Sequence, residues 1–538
     1  MRMHPVQLIA LVVVSLAVTA FARRRNWPAP LLLVGIGMAV SFLPGLPRFE
    51  LYPDLLLTVV LPPLLYSASL DSSFIGFKAG IRPIVGLGVG LVVATAFAVG
   101  FVAHLLMPSL PFTAALVLGA VVAPPDAVTA AAVGRKLGLP RRMMTVLSGE
   151  SLVNDAAALT VYKVAVAAVV TAGGSFSQGL GVFGIATAVG VLVGLAIGAA
   201  VHAVRMRLKD PTLESVLGLV VPFAAYLLAE ELHGSGVLAV VAAGLYIGHN
   251  SPRGGFAMRL QEQSVWNSMD VLLEAFVFAL IGLQLRWVLG ALPLTGELAL
   301  TALAVLATAV LVRVLWVFAI GYLRVQALLP PSYTGRRSWR ELTVISWTGM
   351  RGVVTLAAAA GIPQFTDTGA PFPGRDAIQF FAFVVTVGTL LLQGLSLPWL
   401  IRKLGVRDPS EQDEDARSEA AARQAATNAA VAKLAEVLPR ATASLQPEAA
   451  ERIRQRLIAV VEFRGRRIVE HITGEAPEQY AGMHHAFTSV RQELLGVQRE
   501  ALVVERDAGR LDDEVMRRVL RELDLEEAAL TSSWRARL

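Results

Sequence analysis

Long apolar runs recur along the first three quarters of this 538-residue chain. A helix of about 20 apolar residues crosses the roughly 30 Å of hydrocarbon in a bilayer. Thirteen runs reach or approach that length, at about 4–22, 27–46, 51–70, 82–107, 112–133, 144–171, 178–204, 212–232, 235–248, 265–285, 293–323, 341–363 and 376–401. The pattern predicts an all-α polytopic membrane protein with about 13 transmembrane helices.

Charge divides the chain into two regions. Residues 1–407 hold 28 of the 47 Lys+Arg and 17 of the 41 Asp+Glu, whereas residues 408–538 hold 19 and 24. We therefore predict a transmembrane domain at 1–405 and a helical cytoplasmic domain at 406–538, with the stretch Asp408 to Ala426 as linker or early helix. The amphipathic pattern that indicates further helices is formed by Leu502, Val503, Leu511, Val515, Val519, Leu520 and Leu523.

Basic residues in the loops predict the orientation of the spans. The loops after odd-numbered spans carry 18 Lys/Arg, against 3 after even-numbered spans. Positive loops stay in the cytoplasm, so we expect a multi-pass protein of the cell (inner) membrane with its N-terminus outside and its C-terminus in the cytoplasm. The first apolar run precedes Arg23 and is read as a span and not as a cleaved signal. The other loop residues used here include Arg135, Lys136, Arg141, Arg142, Arg336, Arg337 and Arg340.

Two spans contain helix-breaking residues at related positions. Pro124 and Pro125 precede Asp126 in span 5, and Gly349 and Gly352 lie in span 12. Spans 5 and 12 are offset by seven, as expected for two six-helix repeats of opposite orientation joined by a linking helix. Broken helices at matched positions place the substrate site of a secondary transporter where they meet, so we expect a site between these breaks.

Charged residues inside a membrane indicate function by default, because each costs about 2.5–3.5 kcal/mol on insertion scales. Asp126 follows the first break, and Asp155 lies in span 6, four residues after Ser151 and next to Asn154. Residues four apart share a helix face, so three oxygen-bearing side chains project together. A carboxylate binds either a hard cation or a proton. Competition between the two for one site is sufficient for cation/proton exchange.

Other intramembrane charges admit a structural interpretation. Glu150 and Arg351 form a natural acid–guanidinium pair that holds the bundle together. Lys163 is interpreted as an ion-pair partner or a side chain extending to the interface, and Arg313 as structural. The role of Glu274 stays open.

Several functional classes are excluded. The chain has no cysteine, and its positive charge lies between apolar runs instead of on one basic face, which argues against thiolate metal sites and nucleic-acid partners. The sequence has no phosphate-binding loop of a primary pump, no Tyr-Asp or Gly-x-Gly-Asp string of an intramembrane aspartyl protease, and no catalytic constellation. We therefore expect a protein that is not an enzyme and needs no cofactor. A cation channel stays open as a further alternative.

An ordered set of motifs points to a family. The set consists of Leu61-Pro62-Pro63-Leu64-Leu65-Tyr66, Asp126 after the broken fifth helix, Gly149-Glu150-Ser151-Leu152-Val153-Asn154-Asp155, Ser235-Gly236-Val237-Leu238-Ala239-Val240 and Trp347-Thr348-Gly349-Met350-Arg351-Gly352-Val353-Val354. In this order the motifs resemble those of bacterial sodium/proton antiporters of the cation:proton antiporter family, in the branch of the sodium/proton exchangers. The resemblance covers nearly all of residues 1–405.

The resemblance implies a homodimer in membrane lipid, with a mobile core domain that carries Na+ or another monovalent cation against protons. Asp126 and Asp155 would carry the ion, with oxygens from Ser151 and from the backbone carbonyl of Pro125. The resemblance also implies that Asn154 braces the broken helices and that Glu150 pairs with Arg351. An Asn-Asp pair, as at positions 154 and 155, goes with electroneutral one-for-one exchange in this family.

Two positions depart from the family pattern. Pro125 stands where the family usually has threonine, and Ser67 stands where many members have glutamate. A hydroxyl and a third carboxylate are therefore absent from their usual places. The choice between Na+, Li+ and K+ stays open, with a potassium/proton antiporter of the same fold as the alternative.

Overall fold

The computed structural model describes residues 5–25, 27–44, 53–126, 133–134, 137–171, 176–208, 210–251, 256–290, 292–293, 295–322, 339–406 and 409–441, with short stretches beyond residue 447. The chain forms two compact units, Met1–Arg407 and Asp408–Leu538. In the described residues the regular structure is helical, apart from an isolated bridge between Phe365 and Pro371.

The helices of the first unit are α1 (Pro5–Arg24), α2 (Ala29–Val40), α3 (Pro53–Leu55), α4 (Leu61–Leu70), α5 (Phe74–Ala79), α6 (Ile81–Val85), α7 (Leu91–Leu106), α8 (Phe112–Val122), α9 (Arg141–Val170), α10 (Phe176–Arg205), α11 (Pro211–Glu231), α12 (Gly236–Asn250), α13 (Phe256–Leu283), α14 (Leu285–Gly290), α15 (Gly296–Tyr322), α16 (Trp339–Trp347), α17 (Val353–Ala360), α18 (Arg375–Thr389) and α19 (Leu395–Leu404). Segments of π-helix, at Leu56–Val60, Gly86–Gly90 and Leu390–Gly394, join neighbouring α-helices.

The membrane character expected from the sequence is confirmed at the level of helix length and composition. Among the described residues, 8 continuous helices are long and apolar enough to cross a bilayer, and shorter apolar helices lie at Ala29–Val40, Leu56–Leu70, Phe112–Val122 and Gly236–Asn250. Apolar side chains from many of these helices form one large buried cluster. The chain is thus a multi-pass all-α membrane protein.

The second unit begins with a long charged helix, α20 (Pro409–Ala441). It includes residues 409–426 of the stretch that the sequence analysis interprets as linker or early helix, and Asp408 lies outside the described residues. Of the amphipathic positions, Leu502, Val519 and Leu523 are helical. The predictions on Val503, Leu511, Val515 and Leu520, and on the loop residues Arg135, Lys136, Arg336 and Arg337, lie outside the described residues.

Helix α12 packs closely against α10 on one side and α4 on the other through glycines, an arrangement we call the glycine seam. A methyl group added at Gly194 would overlap the backbone of Ala239 in α12, and one added at Gly248 would overlap the carbonyl of Leu70 in α4. Small residues spaced by four let helix backbones approach closely in a membrane, where burying apolar surface gives little driving force. The glycines of the seam are Gly190, Gly194, Gly244 and Gly248.

Two helices end at the residues that the sequence marks as breakers. Helix α8 ends at Val122, and Ala123–Asp126 are not helical. Pro124 and Pro125 explain this, because proline lacks the N–H that would continue the helical bonding. Between α16 and α17, residues Thr348–Gly352 are likewise not helical.

A buried ion pair links α9 to α15. The guanidinium of Arg313 donates to both carboxylate oxygens of Glu150, and both side chains are only 1% exposed. Arg313 also donates to the carbonyl of Ile345, in the last turn of α16, at 3.1 Å. The sequence interpretation paired Glu150 with Arg351, and the structure corrects this: the bonded partner of Glu150 is Arg313.

Arg351 instead contacts backbone carbonyls. Its Nε donates to the carbonyl of Val122, the last residue of α8, at 2.9 Å, and its Nη2 donates to Ala309 at 3.3 Å. Its Nη1 donates to the carbonyl of Gly349. The physical reason for the correction is that a helix C-terminus carries partial negative charge and unpaired carbonyls. One guanidinium therefore donates to a carbonyl at the C-terminal end of each broken helix: Arg351 at the end of α8 and Arg313 at the end of α16.

Lys163 has a partner away from this region. Its Nζ lies 2.7 Å from Glu230 Oε2 on α11, and both side chains are partly exposed. A second buried pair, between Arg205 and Glu262 at 2.9 Å, joins α10 to α13. Lys163 is thus engaged with a carboxylate other than Asp155, in line with its interpretation as an ion-pair partner.

We expect Glu150→Gln and Arg313→Gln each to lower thermal stability strongly, because removing one partner of a buried pair costs about 3–5 kcal/mol. The double variant should recover part of the loss, since no unpaired charge then stays buried. Thermal unfolding of the detergent-purified protein measures the coupling. Lys163→Gln, in a partly exposed pair, is the control and should cost less than about 1 kcal/mol. Additive losses in the double variant would contradict the pairing.

Candidate functional site

The two non-helical segments touch. The backbone N–H of Asp126 donates to the carbonyl of Met350 at 2.5 Å, which ties the segment after α8 to the segment before α17. Gly352 makes this approach possible, because a methyl group at that position would overlap the Asp126 side chain. The sequence expectation that the two breaks meet is therefore realised around Asp126.

Helix α9 brings Asn154 and Asp155, two further predicted residues, to the same place. Asn154 Nδ2 donates to the carbonyl of Pro125 at 2.7 Å, and Asn154 is fully buried. This bond satisfies a carbonyl that the proline-interrupted segment leaves outside any helix. Asp155 is next to Asn154 and is 8% exposed. The amide thus fixes the spacing between α9 and the segment that carries Asp126.

A cavity of about 70 Å³ lies between α9 and the two non-helical segments. Asp126, Asp155, Ser151 and Pro125 all line it, so the structure brings these four predicted residues together. Asn154 is not part of the cavity lining, but it donates a hydrogen bond to the carbonyl of Pro125, which is. Glu150 and Arg351 do not line it: Glu150 is bonded to Arg313, and Arg351 is bonded to backbone carbonyls. We call this space the inner cavity.

A larger cavity, which we call the vestibule, adjoins the inner cavity. Its volume is about 540 Å³, and it is lined by the start of α9, by the end of α4 and by α13. Four residues line both cavities: Leu64, Ala68, Ser151 and Glu274. Glu274, whose role the sequence left open, therefore lies at the junction between the vestibule and the aspartates.

Sequence reasoning missed Asp270. Its Oδ2 accepts a hydrogen bond from Ser67 Oγ at 2.6 Å, and both residues line the vestibule. Asp270 and Glu274 are four residues apart on α13 and so share a helix face. That spacing was visible in the sequence and could have identified a second acidic position. It supplies a carboxylate beside Ser67, the position at which the sequence analysis noted that the glutamate of many family members is absent.

The arrangement concentrates oxygen atoms in a confined space. Three carboxylate residues and two hydroxyl residues line the inner cavity, and carboxylates also line the vestibule beside it. Oxygen ligands suit hard cations, and carboxylates also take up protons. The site can therefore hold a cation or protons.

Comparisons with known proteins identify a family of related transporters. The family model described as "Sodium/hydrogen exchanger, transmembrane" matches residues 9–403. An uncharacterised Na+/H+ exchanger of Mycobacterium tuberculosis is 34% identical over 98% of this chain and 96% of its own length. A sodium, potassium, lithium and rubidium/H+ antiporter of Bacillus subtilis is 32% identical over 69% of this chain and 58% of its own length.

A solved structure shows the same fold. The sodium proton antiporter MjNhaP1 of Methanocaldococcus jannaschii superposes with a TM-score of 0.59 at 20% identity, over 74% of this chain and 97% of its own. The family match covers the helical membrane unit, including both non-helical segments and the inner cavity. The chain belongs to the sodium/hydrogen exchanger family of membrane transporters.

Proposed function

We propose that this chain exchanges a monovalent cation for protons by letting the two compete for Asp126 and Asp155. The observation that carries the proposal is the inner cavity, where a carboxylate from a helix break faces a carboxylate from α9 beside Ser151. A bound cation neutralises the charge that protons would otherwise neutralise. Release of one therefore favours binding of the other, and alternating access to the two sides turns this competition into transport.

The proposed architecture has 13 transmembrane helices in two inverted six-helix repeats. The eight long helices and four short apolar ones are supplemented by the interrupted pair α16 and α17, which we count as span 12. The ends of α8 and α16 at breaker residues support helices 5 and 12 as matched positions. We assign residues 1–405 to the transmembrane antiporter domain and 406–538 to a cytoplasmic helical domain.

We further propose a homodimer in the inner membrane, with the N-terminus outside and the C-terminus in the cytoplasm. The alternation of 18 and 3 basic loop residues supports this orientation. Arg141, one of the basic residues assigned to the cytoplasmic side, lines the vestibule. On this orientation the vestibule opens toward the cytoplasm, and a cytoplasmic cation reaches the aspartates past Glu274.

The transported cation is Na+, Li+ or K+. The name of the Bacillus subtilis relative includes potassium and rubidium with sodium and lithium. Proteoliposomes with an imposed pH gradient test all of these cations in one series, because cation-driven proton movement is read from an internal pH dye. Conduction without a proton gradient would instead identify a channel.

We expect Asp155→Asn and Asp126→Asn each to abolish exchange while the protein still inserts and dimerises. The amide keeps the side-chain shape but neither releases a proton nor neutralises a cation. Initial rates in proteoliposomes measure the effect, and Asp367→Asn, at an exposed position, is the matched control. A variant that retained more than half of the wild-type rate would remove that aspartate from the carrier role.

We expect electroneutral exchange of one cation for one proton. Asn154 beside Asp155 supplies one titratable group fewer than two aspartates would, and the guanidinium of Arg351 stays protonated. Lys163 faces Glu230, so Lys163→Gln should leave the stoichiometry unchanged. Solid-supported-membrane recordings check this. Sustained currents that scale with the cation gradient, after allowance for binding charge, would contradict it.

We expect Glu274→Gln to raise the KM for the cation several-fold with little change in the maximal rate. Its carboxylate borders both cavities, so it attracts the cation before the aspartates bind it. The control is Glu231→Gln, at an exposed position at the end of α11. A loss of maximal rate at unchanged KM would show that Glu274 does not act in cation capture.

A further inference from the structure

Thr355 is a polar residue of the inner cavity that the proposed mechanism has not used. It is the third residue of α17, directly after the non-helical segment that contacts Asp126. Thr355 lines the inner cavity together with Asp126, Asp155 and Ser151, and it is 0% exposed. The first turn of α17 therefore adds a hydroxyl-bearing residue to the cavity wall.

This hydroxyl lacks the bond that threonines in helices usually make. Thr160 and Thr386 each donate to the carbonyl four residues earlier, at 2.8 Å. The residue four positions before Thr355 is Arg351, which lies in the non-helical segment, so helical geometry does not present its carbonyl. Within the described part of the chain, Thr355 Oγ1 has no hydrogen-bond partner. A buried hydroxyl left in this way is destabilising.

We propose that Thr355 Oγ contributes an oxygen ligand to the cation held between Asp126 and Asp155. The inference rests on the proposed function and extends it to a third element. Hydroxyl oxygens suit hard cations, and this one is buried, has no hydrogen-bond partner in the described structure, and belongs to a residue that lines the cavity bordered by both carboxylates. A cation bound there contacts α9, the segment after α8 and α17 at once. Thr355 is thus a determinant of cation affinity.

The helix break creates this ligand. In a continuous helix a backbone carbonyl four residues earlier is in reach of the hydroxyl, as in Thr386, and a hydroxyl bonded in this way offers the cavity a weaker acceptor. The non-helical segment before α17 removes that partner and keeps the hydroxyl in the cavity wall. The Thr355 hydroxyl then gains a partner only when a cation binds. The free energy of that contact therefore stabilises the cation complex and not the cation-free fold.

The test replaces Thr355 with valine, which keeps the volume and removes the hydroxyl, and with serine, which keeps the hydroxyl. Thr95→Val is the matched control. Thr95 in α7 is also 0% exposed with an unpartnered Oγ1 in the described structure, but it borders neither the inner cavity nor the vestibule. Each variant is assayed for Na+-driven proton movement in proteoliposomes and for its melting temperature without Na+.

We expect both valine variants to raise the melting temperature, because each removes an unsatisfied buried hydroxyl. Only Thr355→Val should raise the KM for Na+, by roughly three- to tenfold, the loss expected for one polar contact. Its maximal rate should stay near that of the wild type, and Thr355→Ser should restore the KM.

Two results would overturn the proposal. One is a KM for Na+ in Thr355→Val that matches that of Thr95→Val. The other is a fall in melting temperature together with maximal rate, which would assign Thr355 a structural role. In either case Asp155→Asn distinguishes the two proposals. If this variant abolishes exchange, the carrier role of Asp155 holds and only the role of Thr355 fails.

Discussion

The contact between two unwound backbone segments inside the membrane unit is the constraint on which the rest of the structure depends. Hydrocarbon offers no water to carbonyls and amides released from a helix, so such segments persist only where protein groups satisfy them. The Asp126–Met350 bond joins the two segments, and Asn154 satisfies the Pro125 carbonyl. Arg313 and Arg351 donate hydrogen bonds to backbone carbonyls at the C-terminal ends of α16 and α8, respectively.

This arrangement keeps the two buried guanidiniums out of the lining of the inner cavity. Arg313 and Arg351 bond instead to the carbonyl ends of helices, and Arg313 bonds also to Glu150. The guanidiniums therefore lie at the C-terminal ends of α8 and α16, whereas Asp126 and Asp155 line the inner cavity.

Much of this arrangement was predictable from the sequence. Apolar length indicated the spans, proline and glycine marked the helix ends, and helical spacing placed Ser151 with Asp155. The partner of Glu150 was not predictable, because two buried guanidiniums were available and only the three-dimensional course of α15 selects Arg313. Asp270 was overlooked because its bond to Ser67 joins residues 203 positions apart. The freed hydroxyl of Thr355 required knowledge of where α17 begins.

The glycine seam limits how the molecule can change shape. Helices α4, α10 and α12 touch backbone to backbone, and each glycine sits opposite a fixed atom of its neighbour. If one helix slid along another, larger side chains would move to the glycine positions, where there is room only for a hydrogen atom. We therefore expect these three helices to move as one rigid body, so that relative motion which exposes the ion site to the other side occurs along their other faces.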